Sequence, residues 1–380
     1  MQNPDAIVIG AGIVGASCAL SLTNAGLRVL VIDRGAVSSG TTGAGEGNIL
    51  VSDKDPGPEL TLAIRSRDLW FEMQEDVGDH FELEAKGGVV VARNDDSELL
   101  KLANAQRQHG VDARVVGSTD LHELEPFLHP QFHSGVFYPQ DAQCQPMLAA
   151  AHVIRTLIAR GGRFVSQAKV SQILVKGSSA YGVQTSQGKY LAPIIVNAAG
   201  TWAGEVARMA GSDLPIAPRR GFILVTEPAP KYIFHKVYDS DYVANVASSE
   251  ADLQTSTVVE GTRSGTILIG ASRERVGFDG SINYDILRTL AAQATSLFPI
   301  LKDVQLLRAY RGFRPYAPDH LPVVGEDAKI KGLWHSAGHE GAGIGLAPGS
   351  AALIADQIMG RPSFMDPSAF SPKRFELAKV

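Results

Sequence analysis

Glycines at positions 10, 12 and 15 spell G-x-G-x-x-G directly after the apolar run Ala6–Ile9. An acid, Asp33, ends a second apolar run, Leu27–Ile32, 18 residues past Gly15. This spacing suits a dinucleotide. Gly10 makes a tight turn, Gly12 lets the backbone approach a diphosphate, and Gly15 lets a helix lie close on the strand. The phosphates then meet unpaired N–H groups and the positive end of the helix dipole. Asp33 is placed to accept a hydrogen bond from a ribose hydroxyl. FAD and a nicotinamide cofactor both fit this pattern. Arg34 is either a partner for a 2′-phosphate or a solvated arginine after a strand.

Two further stretches are unusually poor in side chains. In Ser38–Leu50, Thr41 and Thr42 can donate to phosphate oxygens, while Gly43, Ala44, Gly45 and Gly47 leave room for something flat and bulky. The alternative is a surface loop, and Glu46 lies either beside that bound group or in solvent. Near the C-terminus, five glycines fall between Gly338 and Gly349 and open an apolar, helix-like stretch. Each glycine costs a helix or strand roughly 0.5–1 kcal/mol relative to alanine, so either a ligand or tight packing must approach the backbone here.

The elements that would position these residues follow from periodicity. A helix is expected over Ile13–Ala25, with Gly26 as its cap. A second is expected over Pro58–Asp79, with Leu62, Leu69 and Met73 toward one face, and a surface helix over Asp95–His109. Pro146 suits a first helical turn, followed by a stripe of Leu148, Ala151, Ile154 and Ile158. Ile194–Asn197 reads as a buried strand running through a small-residue turn into a helix at Trp202–Met209. Arg219–Arg311 alternates as β-structure, with a helix at Tyr284–Leu297. The chain therefore leaves a nucleotide domain, builds a second sheet in two visits, and returns. The expected architecture is α/β: a Rossmann-like domain with a parallel central sheet (1–85, 143–217 and 328–380), and a discontinuous, mostly antiparallel β substrate domain (86–142 and 218–327).

At 380 residues, with 44% hydrophobic and 20% charged residues, the chain can bury a sizeable core. A formal charge of −5 gives no footprint for nucleic acid. Cys18 and Cys144 lack metal-ligand spacing, so no metal site is expected, and a reducing, cytoplasmic setting is the simplest inference. The apolar run Ala6–Leu22 imitates a signal peptide, but no positive charge precedes it and glycines interrupt it. No transmembrane segment is expected.

Taken together, VIGAGIVGASCAL with Asp33, GTTGAGEGN, IIVNAAGTWAGE, PRRGFILVTEP, RGFRPYAPDHLPVVG and GHEGAGIGLAPG resemble the D-amino-acid oxidase-type FAD-dependent oxidoreductases. That family includes glycine oxidase, sarcosine oxidase and D-amino acid dehydrogenase. GHEGAGIG with GTTGAGEGN looks most like the flavoprotein subunits of cyanide-forming glycine dehydrogenase, opine dehydrogenase and D-hydroxyproline dehydrogenase.

The resemblance implies FAD, held by Gly10, Gly12, Ile13, Val14, Gly15, Asp33, Arg34, the Thr41, Thr42, Gly43, Ala44, Gly45, Gly47, Asn48 stretch, Val170, Ala199, Gly200, Trp202 and Arg314. It also implies that Gly341, Ala342, Gly343, Ile344 and Gly345 lie against the flavin ring and offer it backbone N–H groups. The activity implied is hydride transfer from a carbon bearing nitrogen to the flavin, giving an imine that water hydrolyses. Arg314 matches the arginine that grips a substrate carboxylate. The second basic residue many relatives carry is replaced by Glu340, Gly341 and Gly345. Glu340 suits a cationic substrate group or caps the following helix, while Tyr316 and His339 are pocket candidates or core residues. The cysteine that carries covalent flavin in sarcosine oxidases is absent from YRGFRPYAPD, which implies noncovalent FAD. Their oxygen-activating lysine is absent from TILIG, Thr266–Gly270, which implies a dehydrogenase. Its electrons would pass to a partner flavoprotein or iron–sulfur subunit, or to a quinone at the inner face of a membrane. Oxidation of an amino acid or secondary amine is the leading expectation; a peroxide-forming oxidase and a non-catalytic flavoprotein subunit are the rivals.

Overall fold

The computed structural model describes residues 3–92, 95–240 and 253–377. Its organising element is a six-stranded sheet in the order Val323–Glu326, Leu333–Ala337, Ile194–Asn197, Ala6–Ile9, Val29–Ile32, Arg163–Val165. The neighbours of Ala6–Ile9 run parallel to it, pairing Ala6 with Ile194 on one side and with Val29 on the other. Every residue of Ala6–Ile9 and Val29–Ile32 is buried, as expected of parallel strands covered on both faces. A strand–helix–strand crossover thus puts the start of helix Ile13–Asn24 at the carboxyl end of the central strand. Ala25 caps that helix and Gly26 follows at φ +93°.

An eight-stranded sheet forms the second layer, in the order Leu306–Tyr316, Ala217–Thr226, Ile267–Glu274, Leu253–Gly261, Lys236–Asp239, Gly88–Val91, Ser134–Tyr138, Arg114–Gly117. All its pairings are antiparallel except that of Lys236–Asp239 with Gly88–Val91. Helix Tyr284–Leu297 buries Ile286, Leu290, Ala294 and Leu297 against it. The fold class is the expected one. One detail differs: Val323–Glu326, inside the range 218–327, pairs with Leu333–Ala337 at the edge of the parallel sheet rather than with the antiparallel layer.

Two helices turn different faces inward than their periodicity suggests. Pro146–Ala159 buries Ala149, Ala150, Val153, Ile154 and Leu157, leaving Leu148 and Ile158 exposed. Its sequence is apolar on nearly every side, so alternation alone cannot choose the face; the small alanines are what let it pack closely. Pro58–Val77 buries Leu62, Ala63, Ser66 and Trp70, while Leu69 and Met73 stay half-exposed.

The reason for that choice lies in the C-terminal helix, Gly343–Met359, which contains Pro348. Proline supplies no N–H, so the carbonyl four residues earlier, on Ile344, loses its helical partner. Trp70 Nε1 donates to that oxygen at 3.0 Å. Ser66 intervenes one residue on: its hydroxyl donates to Gly345 O at 2.7 Å and accepts from Gly349 N at 2.9 Å. A Cβ on Gly349 would lie 2.8 Å from Leu62 Cδ1 and 2.9 Å from Ser66 Cβ. The buried polar edge of helix Pro58–Val77 therefore repairs the first turns of the glycine-rich helix.

Candidate active site

A cavity of about 1620 Å³, counting the open space at its mouth, runs between the two layers. It starts at the first glycine turn and ends between Arg314 and the C-terminal loop. At the first end the chain is shaped by close backbone approach. Gly10 sits at φ +115°, and a Cβ there would lie 2.3 Å from Ala198 O; one on Gly15 would lie 2.0 Å from Gly10 O. These two glycines let strand, turn and helix stack. Gly12 lines the cavity, and a Cβ on it would come within 3.0 Å of Thr42 Oγ1.

The helix that begins at Ile13 has no side-chain cap at Gly12. Ile13 N donates to Thr42 Oγ1 at 3.1 Å, leaving the Thr42 hydroxyl proton for another acceptor. Asp33 accepts from Ala11 N and Gly35 N, both at 2.7 Å. Its carboxylate thus braces the glycine turn, and with two oxygens and about four lone pairs it keeps acceptor capacity for a ribose. Arg34 lies 3.7 Å above the Trp202 ring, and Trp202 in turn stacks on Phe278 at 5.3 Å with ring planes 8° apart. Val170, Ala199 and Gly200 complete this wall.

Across the cavity, the loop after Ser38 divides by function. Thr41, Thr42, Ala44, Gly45 and Asn48 line the space. Thr41 Oγ1 is committed to Phe313 O at 2.7 Å rather than to a phosphate. Gly43 and Gly47 are explained by chain packing instead: Cβ atoms there would meet Ser38 O at 2.3 Å and Cys144 O at 1.8 Å. Gly345 likewise lies against Ile49 and Asn48 and is absent from the lining, as are Gly15 and Ala342, whereas Gly341, Gly343 and Ile344 are part of it. Ala342 is the uncapped start of the C-terminal helix, so its first amides lack intrahelical partners.

Arg314 lines the far end. Its Nη1 donates to Ser272 O at 2.7 Å, and Gly341 lies beside its Nε. Glu340 also lines the cavity but does not cap the helix, and its charge is already matched. Its carboxylate pairs with the fully buried Arg219 and accepts from His320 Nδ1 at 3.1 Å. Burial opposes its ionisation, but the His320 hydrogen bond and the charges of Arg219 and Arg273 outweigh that, bringing its pKa down to about 2. Glu340 has φ +48°, uncommon for a residue with a side chain, and its amide donates to Pro315 O at 2.9 Å. Tyr316 lies outside the lining, edge-on to His320 and hydrogen-bonded to Arg275. His339 lines the cavity, holds Ser350 at 2.9 Å, and is pushed by burial down to about 4, so it is neutral.

Sequence reasoning left Glu46 undecided. It is buried, lines the cavity, and has Oε1 without a hydrogen-bond partner among the described residues. Neither cysteine lines the cavity, and both are buried. Among the described residues no cluster of His, Cys, Asp and Glu could hold a metal ion, and no helix is long and apolar enough to cross a membrane.

The cavity thus has the glycine turn and the start of helix Ile13–Asn24 at one end and the start of the glycine-rich helix Gly343–Met359 at the other. The family model of FAD dependent oxidoreductases matches residues 5–357, and the chain belongs to that family. It is an oxidoreductase whose cofactor is FAD. It is 30% identical to glycine oxidase of Pseudomonas aeruginosa, with 96% of this chain and 98% of that protein aligned. It is 27% identical to hydrogen cyanide synthase subunit HcnC of the same organism, over 98% and 96% of the two chains. The crystal structure of L-proline dehydrogenase from P. horikoshii superposes with a TM-score of 0.90, covering 99% of each chain at 24% identity.

Proposed function

We propose that this protein oxidises the C–N bond of an amino acid or secondary amine, of the glycine, D-amino acid, imino acid or opine type. The observation that carries the reading is one cavity joining the glycine turn at Gly10–Gly15 to Arg314. FAD supplies a two-electron acceptor for the hydride on the substrate carbon. Gly12, Val14, Thr42 and Asp33 would hold its diphosphate and ribose, Arg34 and Trp202 would flank the wall beside them, and Gly341, Gly343 and Ile344 would meet its ring. With both cysteines buried away from the cavity, FAD binds noncovalently.

The residues of this chain bind, orient and exclude water. Arg314 offers a planar fork to a substrate carboxylate, and its attachment to Ser272 O fixes that fork before substrate arrives. Uncapped helix amides near the ring favour the negative charge it gains on reduction. Similarity to glycine oxidase, and the fold shared with a proline dehydrogenase, support a CH–NH or CH–NH2 donor.

We favour a dehydrogenase over an oxidase. The stretch that matches the oxidases' lysine-bearing strand, Thr266–Gly270, holds no lysine, and Glu46 lies against its Gly270. A relative that is a subunit of a larger enzyme supports electron transfer to a partner flavoprotein, an iron–sulfur subunit or a quinone. A cytoplasmic enzyme, peripheral to the inner membrane face where a quinone is the acceptor, fits that role. Anaerobic flavin bleaching across glycine, sarcosine, D-amino acids, prolines and opines tests the reading, which fails if every compound leaves the flavin oxidised. Rapid oxygen uptake by the pure protein with a bleaching substrate would overturn the dehydrogenase preference.

A further inference from the structure

We propose that Glu46 is the seat of the substrate's amino group and takes the proton that this group must lose before its carbon can give up a hydride. The inference rests on the proposed C–N oxidation and names the substrate class more narrowly: a zwitterionic α-amino acid with at least one N–H.

Three observations carry it. First, Glu46 is 8% exposed and lines the cavity, yet its Oε1 has no hydrogen-bond partner among the described residues. Its other oxygen accepts from Asn48 Nδ2 at 3.1 Å, which fixes the carboxyl's orientation. Asn48 lines the cavity too, and its Oδ1 is likewise buried without a partner. Buried acceptors are satisfied in folded proteins nearly without exception, so two adjacent orphans facing one cavity point to a donor that arrives with a ligand.

Second, Glu46 and Arg314 rest on one strand. Arg314 Nη1 binds the carbonyl of Ser272, and a Cβ on Gly270 would lie 2.5 Å from Glu46 Oε1. Glu46 and Arg314 also interact through their charges and line the same cavity. In an α-amino acid the nitrogen and the carboxylate oxygens lie about 3 Å apart, so one such molecule can meet Arg314 with its carboxylate and Glu46 with its nitrogen.

Third, the charges around Glu46 leave it able to bind a proton. Burial raises its affinity for one, and Glu260 adds to this; Lys236, Arg314 and the Asn48 hydrogen bond pull the other way. Lys236 is itself engaged by Glu260 at 2.5 Å, and Tyr310, whose charge interaction with Glu46 places it nearby, donates to Gly45 O at 3.2 Å. In the step proposed, one N–H bond of the substrate ammonium breaks and an O–H bond forms at Glu46. Bound FAD would supply the two-electron acceptor for the Cα–H electron pair and its hydrogen, and the nitrogen lone pair would become the C=N bond. The ammonium's proton stays on Glu46 until solvent removes it.

The test compares ligands of one shape with and without the N–H: D-proline against cyclopentanecarboxylate, and glycine against acetate. Their affinities are measured anaerobically by calorimetry on the FAD-loaded protein with its flavin reduced beforehand by dithionite, so that no turnover adds to the heat. Wild-type protein should favour the amino member of a pair by roughly tenfold or more. Glu46→Gln should erase that preference while leaving affinity for the plain acids unchanged, and Glu46→Asp should restore part of it. Arg314→Lys should weaken both members alike. With a bleaching substrate, Glu46→Gln should also remove the acid limb from the pH profile of flavin reduction.

No amine preference in wild type, equal losses for both members in Glu46→Gln, or a ligand-free shift in flavin potential without a change in preference would each overturn the assignment. If Glu46→Gln keeps both the preference and the pH profile while the flavin still bleaches, Glu46 is excluded and C–N oxidation stands. If preference depends on Glu46 but no amine bleaches wild-type flavin, the seat stands and the proposed oxidation falls.

Discussion

Arg314 occupies the space that a side chain on Gly221 would take: a Cβ at Gly221 would lie 2.1 Å from Arg314 Nη1 and 2.5 Å from Ser272 O. Strand Leu306–Tyr316 pairs with Ala217–Thr226 so that Arg219 faces Arg314 and Gly221 faces Gly312. The arginine thus crosses its neighbour strand through a gap left by glycine. Gly221→Ala should displace the guanidinium and disturb the sheet, at about 1–3 kcal/mol of stability. Its kinetic signature should be a KM for carboxylate substrates raised at least tenfold with FAD retained. Arg314→Lys, which keeps the charge but loses the fork, should do the same without loss of stability. Unchanged KM in Arg314→Lys would remove the residue from the pocket.

The first glycine turn separates a folding role from a binding role. Gly10→Ala puts a Cβ 2.3 Å from a backbone carbonyl at a φ of +115°, which should leave little soluble, folded protein. Gly12→Ala meets only the Thr42 hydroxyl, at 3.0 Å. It should fold with a near-normal circular dichroism spectrum but purify with much less FAD, because the added methyl stands where the diphosphate must approach. Full FAD occupancy in Gly12→Ala would contradict the placement of the diphosphate.

Much of this site was legible because its constraints are local. Gly10, Gly12, Gly15 and Asp33 fall within one strand–helix–strand unit, so spacing alone specifies their geometry. The resemblance puts Gly341 to Gly345 of the C-terminal stretch against the flavin ring, and the glycines of that stretch serve several ends. Gly341 and Gly343 border the cavity, Gly345 lets Asn48 and Ile49 approach, and Gly349 admits Leu62 and Ser66. Gly345 depends on the strand Asn48–Ile49 and Gly349 on the helix Pro58–Val77, both far earlier in the chain, and no local pattern encodes those pairings. Glu340 shows the same limit. Its sequence neighbours allow either a helix cap or a partner for a cationic substrate group, whereas the cation it pairs with, Arg219, comes from a strand of the other layer. The periodicity of Pro146–Ala159 singles out Leu148, Ala151, Ile154 and Ile158, of which only Ile154 is buried, because both faces carry aliphatic residues.

The stack of Arg34, Trp202 and Phe278 closes one wall of the cofactor cavity. Phe278 also meets Phe313 edge-on, with ring centroids 5.4 Å apart. The stack therefore ties the parallel-sheet layer to the strand that carries Arg314. A cation over an indole is worth about 0.5–2 kcal/mol, and an aromatic pair about 0.5–1.5 kcal/mol beyond burial. Trp202→Ala should weaken FAD by roughly tenfold; Phe278→Ala, which touches Trp202 but is absent from the lining, should weaken it by less. Apoprotein titration with FAD, followed by flavin fluorescence, separates the two. A larger loss in Phe278→Ala than in Trp202→Ala would show that the stack acts through the fold rather than on the cofactor.

Acid should destabilise the protein in two separable stages, set by His339 and Glu340. Burial holds His339 at about 4 in the folded chain against 6.5 when exposed. Between those values the unfolded chain takes a proton that the folded chain refuses, so stability falls as pH drops from 6.5 to 4, by roughly 3 kcal/mol in all. Glu340 follows the same sign lower down. Its folded value of about 2, set by His320, Arg219 and Arg273 against the opposing effect of burial, lies below the ordinary 4.5. Its contribution is complete above 4.5 and disappears as pH falls toward 2. His339→Gln should therefore flatten the stability curve between pH 6.5 and 4 and leave the lower stage intact. Glu340→Gln should remove the lower stage, but it strands the buried Arg219 charge and should cost about 3–5 kcal/mol at neutral pH. Urea unfolding of FAD-saturated wild type and both variants at a series of pH values measures each stage as a difference between curves. Parallel wild-type and His339→Gln curves down to pH 4 would show that His339 is protonated in the folded state and is not held neutral by burial.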